Sequence, residues 1–152
     1  MPVISMVDIF LSLLKIMPVK LLSSDYEALA AFRYAMRKFL RFSKDELTAR
    51  DLTPEQYEAL LAIRAFGSKR GLTISDLSER LQVKHHTAIN LVDKLAARNL
   101  IVRRHSTEDR RHVYVRLTRR GGDTLAFVAA IHRKEMKARS PEMIDALKRL
   151  QK

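Results

Sequence analysis

TISDLSERLQVKHHTAINLVDKLAARNLIVRRHSTEDRRHVYVRLT, residues 73–118, is the stretch on which the fold turns. Thr73 is placed to cap a helix over SDLSERL, and Asp76, three residues on, favours its positive end. Ile74, Leu77 and Leu81 give that helix one apolar side. Gln82-Val83-Lys84 makes a short turn with its valine inward, and a second helix runs from about His85 to Arg98. Ala88, Ile89, Val92, Leu95 and Ala96 recur at the helical period and form its inner stripe. His85, His86, Thr87, Asn90, Lys94 and Arg98 are left facing outward. Two helices joined by such a turn, the second with small polar and basic residues near its start, form the helix-turn-helix pattern.

The same stretch closes in a hairpin. Residues 100–105 read as a strand with Ile101 and Val102 β-branched, and Val113, Val115 and Leu117 alternate cleanly with Tyr114 and Arg116. Ser106-Thr107-Glu108-Asp109-Arg110-Arg111 lies between them, too long and polar for a two-residue turn, so it is expected to project as a wing. Arginines at such a tip suit the narrow minor groove of A·T-rich DNA. Asp109 reads as the acid that holds one of them by paired hydrogen bonds, with an ordinary exposed salt bridge as the plainer reading. On the second helix, His86, Thr87 and Asn90 carry chemistry for base edges, asparagine suiting adenine, and Lys84 is placed to meet a phosphate at the helix start. The adjacent histidines point about 100° apart, and no third ligand stands at metal-binding spacing.

Charge agrees with this reading. Between Lys84 and Arg119, nine Lys/Arg (Lys84, Lys94, Arg98, Arg103, Arg104, Arg110, Arg111, Arg116, Arg119) face three acids (Asp93, Glu108, Asp109), so half of the formal +12 lies in a quarter of the 152 residues. A surplus so concentrated favours a polyanion, whose neutralised phosphates release counterions; a merely soluble basic surface is the bland alternative. Apolar content of 47% suffices for one domain's core. The absence of cysteine excludes disulfides, thiolate metal sites and cysteine-based peroxide sensing. The apolar run VISMVDIFLSLL (3–14) is interrupted by Asp8, follows no positive charge and falls short of the ~20 residues a bilayer span needs. The expectation is a cytoplasmic chain with no export signal and no membrane partner.

Working outward, residues 3–17 fit a first helix striped by Val3, Val7, Phe10, Leu14 and Met17, too apolar all round for a free surface helix, and Pro18 ends it. Ser24 and Glu27 form a capping box for a helix whose apolar face is Leu29, Phe32, Met36, Phe39 and Leu40. Arg33, Arg37 and Arg41 line another face, a solvated stripe in the plain reading and an anion site in the sharper one. Thr53-Pro54-Glu55-Gln56 starts a helix with Tyr57, Leu60, Leu61 and Phe66 buried, Gly67 ends it, and SKRG links it to Thr73. Thr118 caps a long helix to about Arg139 with Leu125, Val128 and Ile131 inward, and Ser140-Pro141-Glu142 restarts a last one bearing Ile144, Leu147 and Leu150.

With these pieces in place, the chain resembles the MarR-type winged-helix transcriptional regulators. The motifs that carry the resemblance are LTPEQYEALLAI (52–63), TISDLSERLQVKHHTAINLVDKLAARNLIVRR (73–104), DRRHVYVRLT (109–118) with Gly121 after it, and SPEMIDALKRL (140–150). The resemblance implies a mainly α (α+β) fold: a winged helix-turn-helix with a two-stranded β-wing and long N- and C-terminal dimerisation helices. Residues 1–50 and 119–152 would be the dimerisation helices and 51–118 the DNA-binding lobe, in one intertwined domain. By the same resemblance His85, His86, Thr87, Asn90 and Lys94 fall on the recognition helix, and Arg110 and Arg111 on the wing tip with Asp109 as the orienting acid. Lys84 and Arg104 complete the expected DNA contacts. Implied partners are double-stranded DNA, a second copy of the chain, and a small-molecule effector, in many members an aromatic acid bound between dimer region and lobe.

The expected function is therefore a dimeric, sequence-specific transcriptional regulator, a repressor of pseudo-palindromic operators, released by a small anionic or aromatic ligand. The alternative is a winged-helix module for protein assembly without specific DNA readout. Nothing in the sequence forms a nucleophile–base pair, a Gly-rich phosphate loop or an HExxH metal motif, so no catalytic residue, cofactor or metal is expected and the chain does not read as an enzyme. Tyr26, Arg33, Tyr34, Arg37 and His132 fit, by helix face, the walls of a cavity between the dimer helices and the lobe.

Overall fold

The structure, a computed structural model, describes residues 6, 7, 9, 12, 20–109 and 112–152. Met6, Val7, Ile9 and Ser12 are helical; the rest of the apolar stripe expected over 3–17 lies outside the described residues. Helix α1 (Ser23–Thr48) starts one residue before the expected Ser24 cap. The Leu22 N–H donates to the Asp25 carboxylate at 2.8 Å, so Asp25, and not Glu27, supplies the reach-back bond and the Ser24–Glu27 box does not form.

Helix α2 (Pro54–Phe66) begins with the full reciprocal box: Thr53 Oγ1 accepts from the Gln56 N–H at 3.2 Å, and Gln56 Oε1 accepts from the Thr53 N–H at 3.1 Å. Tyr57 and Leu60 are buried as expected, but Leu61 and Phe66 are 36% and 53% exposed. Ala59, Ala62 and Ile63 are inside in their place, and the Arg80 guanidinium covers Phe66 at 3.6 Å from its ring centroid. Gly67 ends α2 without a left-handed turn; a Cβ there would collide with the Ile63 carbonyl oxygen that accepts its N–H.

The lobe continues through β1 (Leu72–Thr73), α3 (Ile74–Leu81), α4 (His85–Ala97), β2 (Ile101–His105) and β3 (Val113–Leu117). The sheet is antiparallel in the order β1-β3-β2, with Leu72 opposite Val115 and Thr73 opposite Tyr114. A third strand of two residues thus joins the expected hairpin, and Thr73 both ends it and caps α3, accepting the Asp76 N–H at 3.1 Å. Helices α1, α3 and α4 all close alike: Asp51, Gln82 and Asn99 sit at φ 53, 53 and 59, and the residue after each bonds back to Leu47, Ser78 and Leu95. The core lies between α2, α3, α4 and the sheet around Leu60, Leu77, Val92, Leu95 and Val115, all 0% exposed. Burying each of these large aliphatic side chains contributes about 1.5–3 kcal/mol.

Helix α5 (Arg119–Leu150) corrects the expectation of two C-terminal helices: it runs unbroken through Pro141. Proline removes the N–H that the Lys137 carbonyl would accept, and the Ser140 hydroxyl donates to that carbonyl instead, at 3.1 Å. Ile131 is only half-buried and His132 takes the inner position, while Ile144 and Leu147 are exposed. Helices α1 and α5 run alongside each other in opposite directions, tied by Lys38–Glu142 at 3.0 Å and His132–Ser43 at 2.8 Å. Among the described residues no helix is long and apolar enough to cross a membrane.

Candidate nucleic-acid interface

Helix α4 presents its outer face without internal commitments. His85, His86, Thr87, Asn90 and Lys94 are exposed, and their side chains make no hydrogen bond or ion pair with any described residue. Lys84 is the N-cap, but its side chain accepts nothing from the first turn. The His85 and His86 amides, which have no intrahelical acceptor, therefore stay open beside a lysine ammonium, an arrangement suited to a phosphate oxygen. Thr87, Asn90 and Lys94 also line a groove of about 300 Å³ whose other wall includes Glu55 and Glu58 of α2. Those two acids carried no signal in the sequence, because only the tertiary fold brings the start of α2 to the reading face.

Arg98 belongs elsewhere. Its guanidinium donates to the Asp51 carbonyl and, at 3.3 Å, to Gln56 Oε1, so it fastens the end of α4 to the α1–α2 turn. Arg103 likewise pairs with Asp93 on α4, which ties the first strand of the wing to that helix. Strand alternation then puts its neighbour Arg104 on the opposite face of the sheet, away from α4.

At the wing, the Ser106 hydroxyl accepts from the Glu108 and Asp109 N–H groups, both at 3.2 Å, and bends the chain at the tip. Asp109 Oδ2 lies 3.3 Å from His112 Nδ1. Arg110 and Arg111 lie outside the described residues, and with them the expected Asp109–arginine pair. The sequence reading missed Arg70. Gly71, buried at φ 112, lets Ser68-Lys69-Arg70-Gly71 close as a turn with reciprocal backbone bonds of 3.1 and 3.0 Å between its ends. Arg70 at its tip grips Glu108 with two hydrogen bonds of 3.0 Å. That fork raises the guanidinium pKa and holds the Glu108 carboxyl below the usual carboxylate range.

A second site lies between α1, α2 and α5. A cavity of about 760 Å³ is lined by Phe39, Leu40, Tyr57, Leu61 and Met136, with Ser43, His132, Lys44, Glu58 and Arg133 as its polar members. His132 is 5% exposed and packs 4.5 Å from the Tyr57 ring, centroid to centroid. Its Nδ1 faces the Val128 carbonyl at 2.9 Å, so the proton sits there, and in the neutral ring Nε2 accepts from the Ser43 hydroxyl at 2.8 Å. Burial pushes the Tyr57 phenol up, so it stays neutral. Of the residues expected to wall a cavity here, only His132 does; Tyr26, Arg33, Tyr34 and Arg37 are on exposed faces of α1. Among the described residues no three His, Asp or Glu side chains cluster as metal ligands.

A family model described as the MarR family matches residues 50–112. The chain is 34% identical over 77 residues to the HTH-type transcriptional repressor MdtR of Bacillus subtilis (strain 168), covering 51% of this chain. It spans about half the length, 48%, of that curated relative. Among solved structures, the YusO protein from Bacillus subtilis is 28% identical with a TM-score of 0.61, covering 81% of this chain and 89% of that one. The S. aureus MepR–DNA complex is 26% identical with a TM-score of 0.63, covering 70% and 77%. With its helix pair, its wing and its long flanking helices, the chain is similar to the MarR family of winged helix-turn-helix proteins.

Proposed function

We propose that this chain is a sequence-specific DNA-binding transcriptional repressor acting as a homodimer on pseudo-palindromic operators. The observation that carries the reading is the uncommitted row on α4: His85, His86, Thr87, Asn90 and Lys94 present donors and acceptors that the described residues leave unused. Small polar side chains near a recognition-helix start suit base edges in the major groove. The similarity to MepR, solved on DNA, and to the repressor MdtR supports the same direction. Arg110 and Arg111 at the wing tip, with Asp109 beside them, suit the adjacent minor groove.

Dimerisation is supported by apolar side chains that the single chain leaves open. Leu22 and Tyr26 at the start of α1 are 61% and 60% exposed, and Ile144 and Leu147 near the end of α5 are 48% and 44% exposed. Two lobes so joined would read half-sites about one helical turn apart. The 760 Å³ cavity, with aromatic and aliphatic walls and the cations Lys44 and Arg133, suits a small aromatic acid as effector.

Genomic pull-down followed by gel shift in rising salt tests the reading. One enriched pseudo-palindrome is expected, bound with a steep salt dependence, and Arg111→Ala should cost on the order of 1–3 kcal/mol. If no palindrome is enriched and Arg111→Ala binds like the wild type, the reading is wrong. A winged helix used only for protein assembly would bind no duplex even at low salt.

A further inference from the structure

We propose that the outer face of the wing sheet is a second DNA-binding surface, which takes the phosphate backbone of duplex flanking the operator. The inference rests on the DNA-binding reading above and adds a surface that the recognition helix and wing tip do not include. Alternation along the paired strands β2 and β3 puts Arg104, Tyr114 and Arg116 on the face opposite α4. The Ser68–Gly71 turn delivers Lys69 and Arg70 to the same place, and together they wall a cleft of about 270 Å³.

Among the described residues only part of the charge in this cleft is paired. Arg70 spends its guanidinium on both oxygens of Glu108. Lys69, Arg104 and Arg116 have no ion pair with any described residue. Lys69, Arg104 and Arg116 reach one cleft from a tight turn and two strands, unlike Arg33, Arg37 and Arg41, which lie along one exposed helix. A ligand that matches such a cluster carries anionic oxygens, and a phosphate chain supplies several in a row.

The fold singles out duplex DNA as the occupant. The cleft is the back of the wing, on the side turned away from α4. With α4 in the major groove and the wing tip in the neighbouring minor groove, this back faces along the duplex, beyond the outer end of the half-site. Contacts there touch backbone and carry no base readout. The footprint therefore extends past the pseudo-palindrome at both ends, with sequence-independent flanks.

The test uses the tightest-binding duplex selected from a random pool, as a core of about 20 base pairs and as the same core with about 10 more on each side. The wild-type chain is expected to bind the longer duplex about tenfold tighter, with a steeper salt slope. Lys69→Ala with Arg116→Ala should abolish that gain and lower the slope on the longer duplex by about 2 per lobe, leaving the core duplex bound as before. The charge-keeping pair Lys69→Arg with Arg116→Lys should retain the gain, which separates phosphate contact from misfolding. Equal wild-type affinity for both lengths, or an equal loss on both in the alanine pair, overturns the proposal. Binding of neither duplex at low salt overturns the DNA-binding reading, and this surface with it.

Discussion

Arg70 and Glu108, 38 positions apart in the chain, face each other through two parallel hydrogen bonds of 3.0 Å. One stands on the turn before β1 and the other on the wing tip, so the fork is a side-chain tether between the body of the lobe and the end of the hairpin. Both side chains are largely exposed, and their exchange with water leaves little net stability in the pair.

Arg70→Ala or Glu108→Ala should accordingly leave the thermal midpoint where it is while loosening the wing. Faster amide exchange at Ser106, Glu108, Asp109 and His112 would show it, and Arg70→Lys should not restore protection, because an ammonium cannot form the fork. The pH dependence follows from the lowered Glu108 pKa. A depressed carboxylate contributes its stabilisation fully above its unfolded value and loses it as pH falls through the folded one. The tether should therefore hold through mild acid and release only below the ordinary carboxylate range. Unchanged protection in Glu108→Ala at neutral pH would contradict this.

Gly121 and Gly122 should respond in opposite senses. A Cβ at Gly121 would run into the Leu100 carbonyl oxygen, a backbone atom that cannot step aside, whereas a Cβ at Gly122 meets nothing within 4 Å. Gly121→Ala should be strongly destabilising, by more than about 3 kcal/mol in chemical denaturation. Gly122→Ala should stabilise by about 0.4–1 kcal/mol through the lost freedom of the unfolded chain. Comparable midpoints for the two variants would show that α5 does not rest on the Leu100 backbone.

Pro141 offers a third check. It sits exposed inside α5 with Ser140 serving the orphaned Lys137 carbonyl. Pro141→Ala should restore the backbone bond and stabilise the helix by up to about 3 kcal/mol. Ser140→Ala should cost about 0.5–1.5 kcal/mol in the wild-type background and almost nothing once Pro141 is replaced. Additive effects in that double-mutant cycle would mean the hydroxyl is not standing in for the missing N–H.

In the cavity, Ser43→Ala removes the donor to His132 Nε2 and leaves a ring nitrogen unpaired among Phe39, Phe42 and Tyr57. A loss of about 1–3 kcal/mol is expected by denaturation. An aromatic carboxylate that fills the cavity should raise the melting temperature of the wild-type chain. It should do so less for Leu61→Glu, which adds charge to the apolar wall of the same cavity. Equal shifts for both proteins would place the ligand elsewhere.

The lobe was legible from its sequence because its signals are local. Thr53, Thr73 and Thr118 are each followed at fixed spacing by the residue whose amide they cap, and Val113, Val115 and Leu117 alternate as a half-buried strand must. What escaped depends on distant partners. Arg98 shares the polar edge of α4 with Lys94, and only the approach of Asp51 and Gln56 turns it inward. Arg70 looked like part of a polar link because Glu108 lies on another element. Pro141 reads as a helix stop by every local rule, and a single hydroxyl reverses that. Leu61 and Phe66 sit on the apolar side of α2 by period, yet one borders the cavity and the other lies beneath Arg80.

Thr118 accepts the Gly121 N–H at 2.9 Å and donates to the Asn99 carbonyl at 2.6 Å, and its own N–H reaches the Leu100 carbonyl at 3.1 Å. The end of α4, the hairpin and the start of α5 are thereby welded at one corner. Mechanically, α5 is then a lever of 32 residues, about 48 Å long, fixed at one end to the element that would read the bases. A tilt of about 5° sweeps the free end through about 4 Å, more than the rise of one base pair. Seen from the other end, a homodimer that held two such levers together would set the stride between its two reading heads, and a wedge between α1, α2 and α5 would change it.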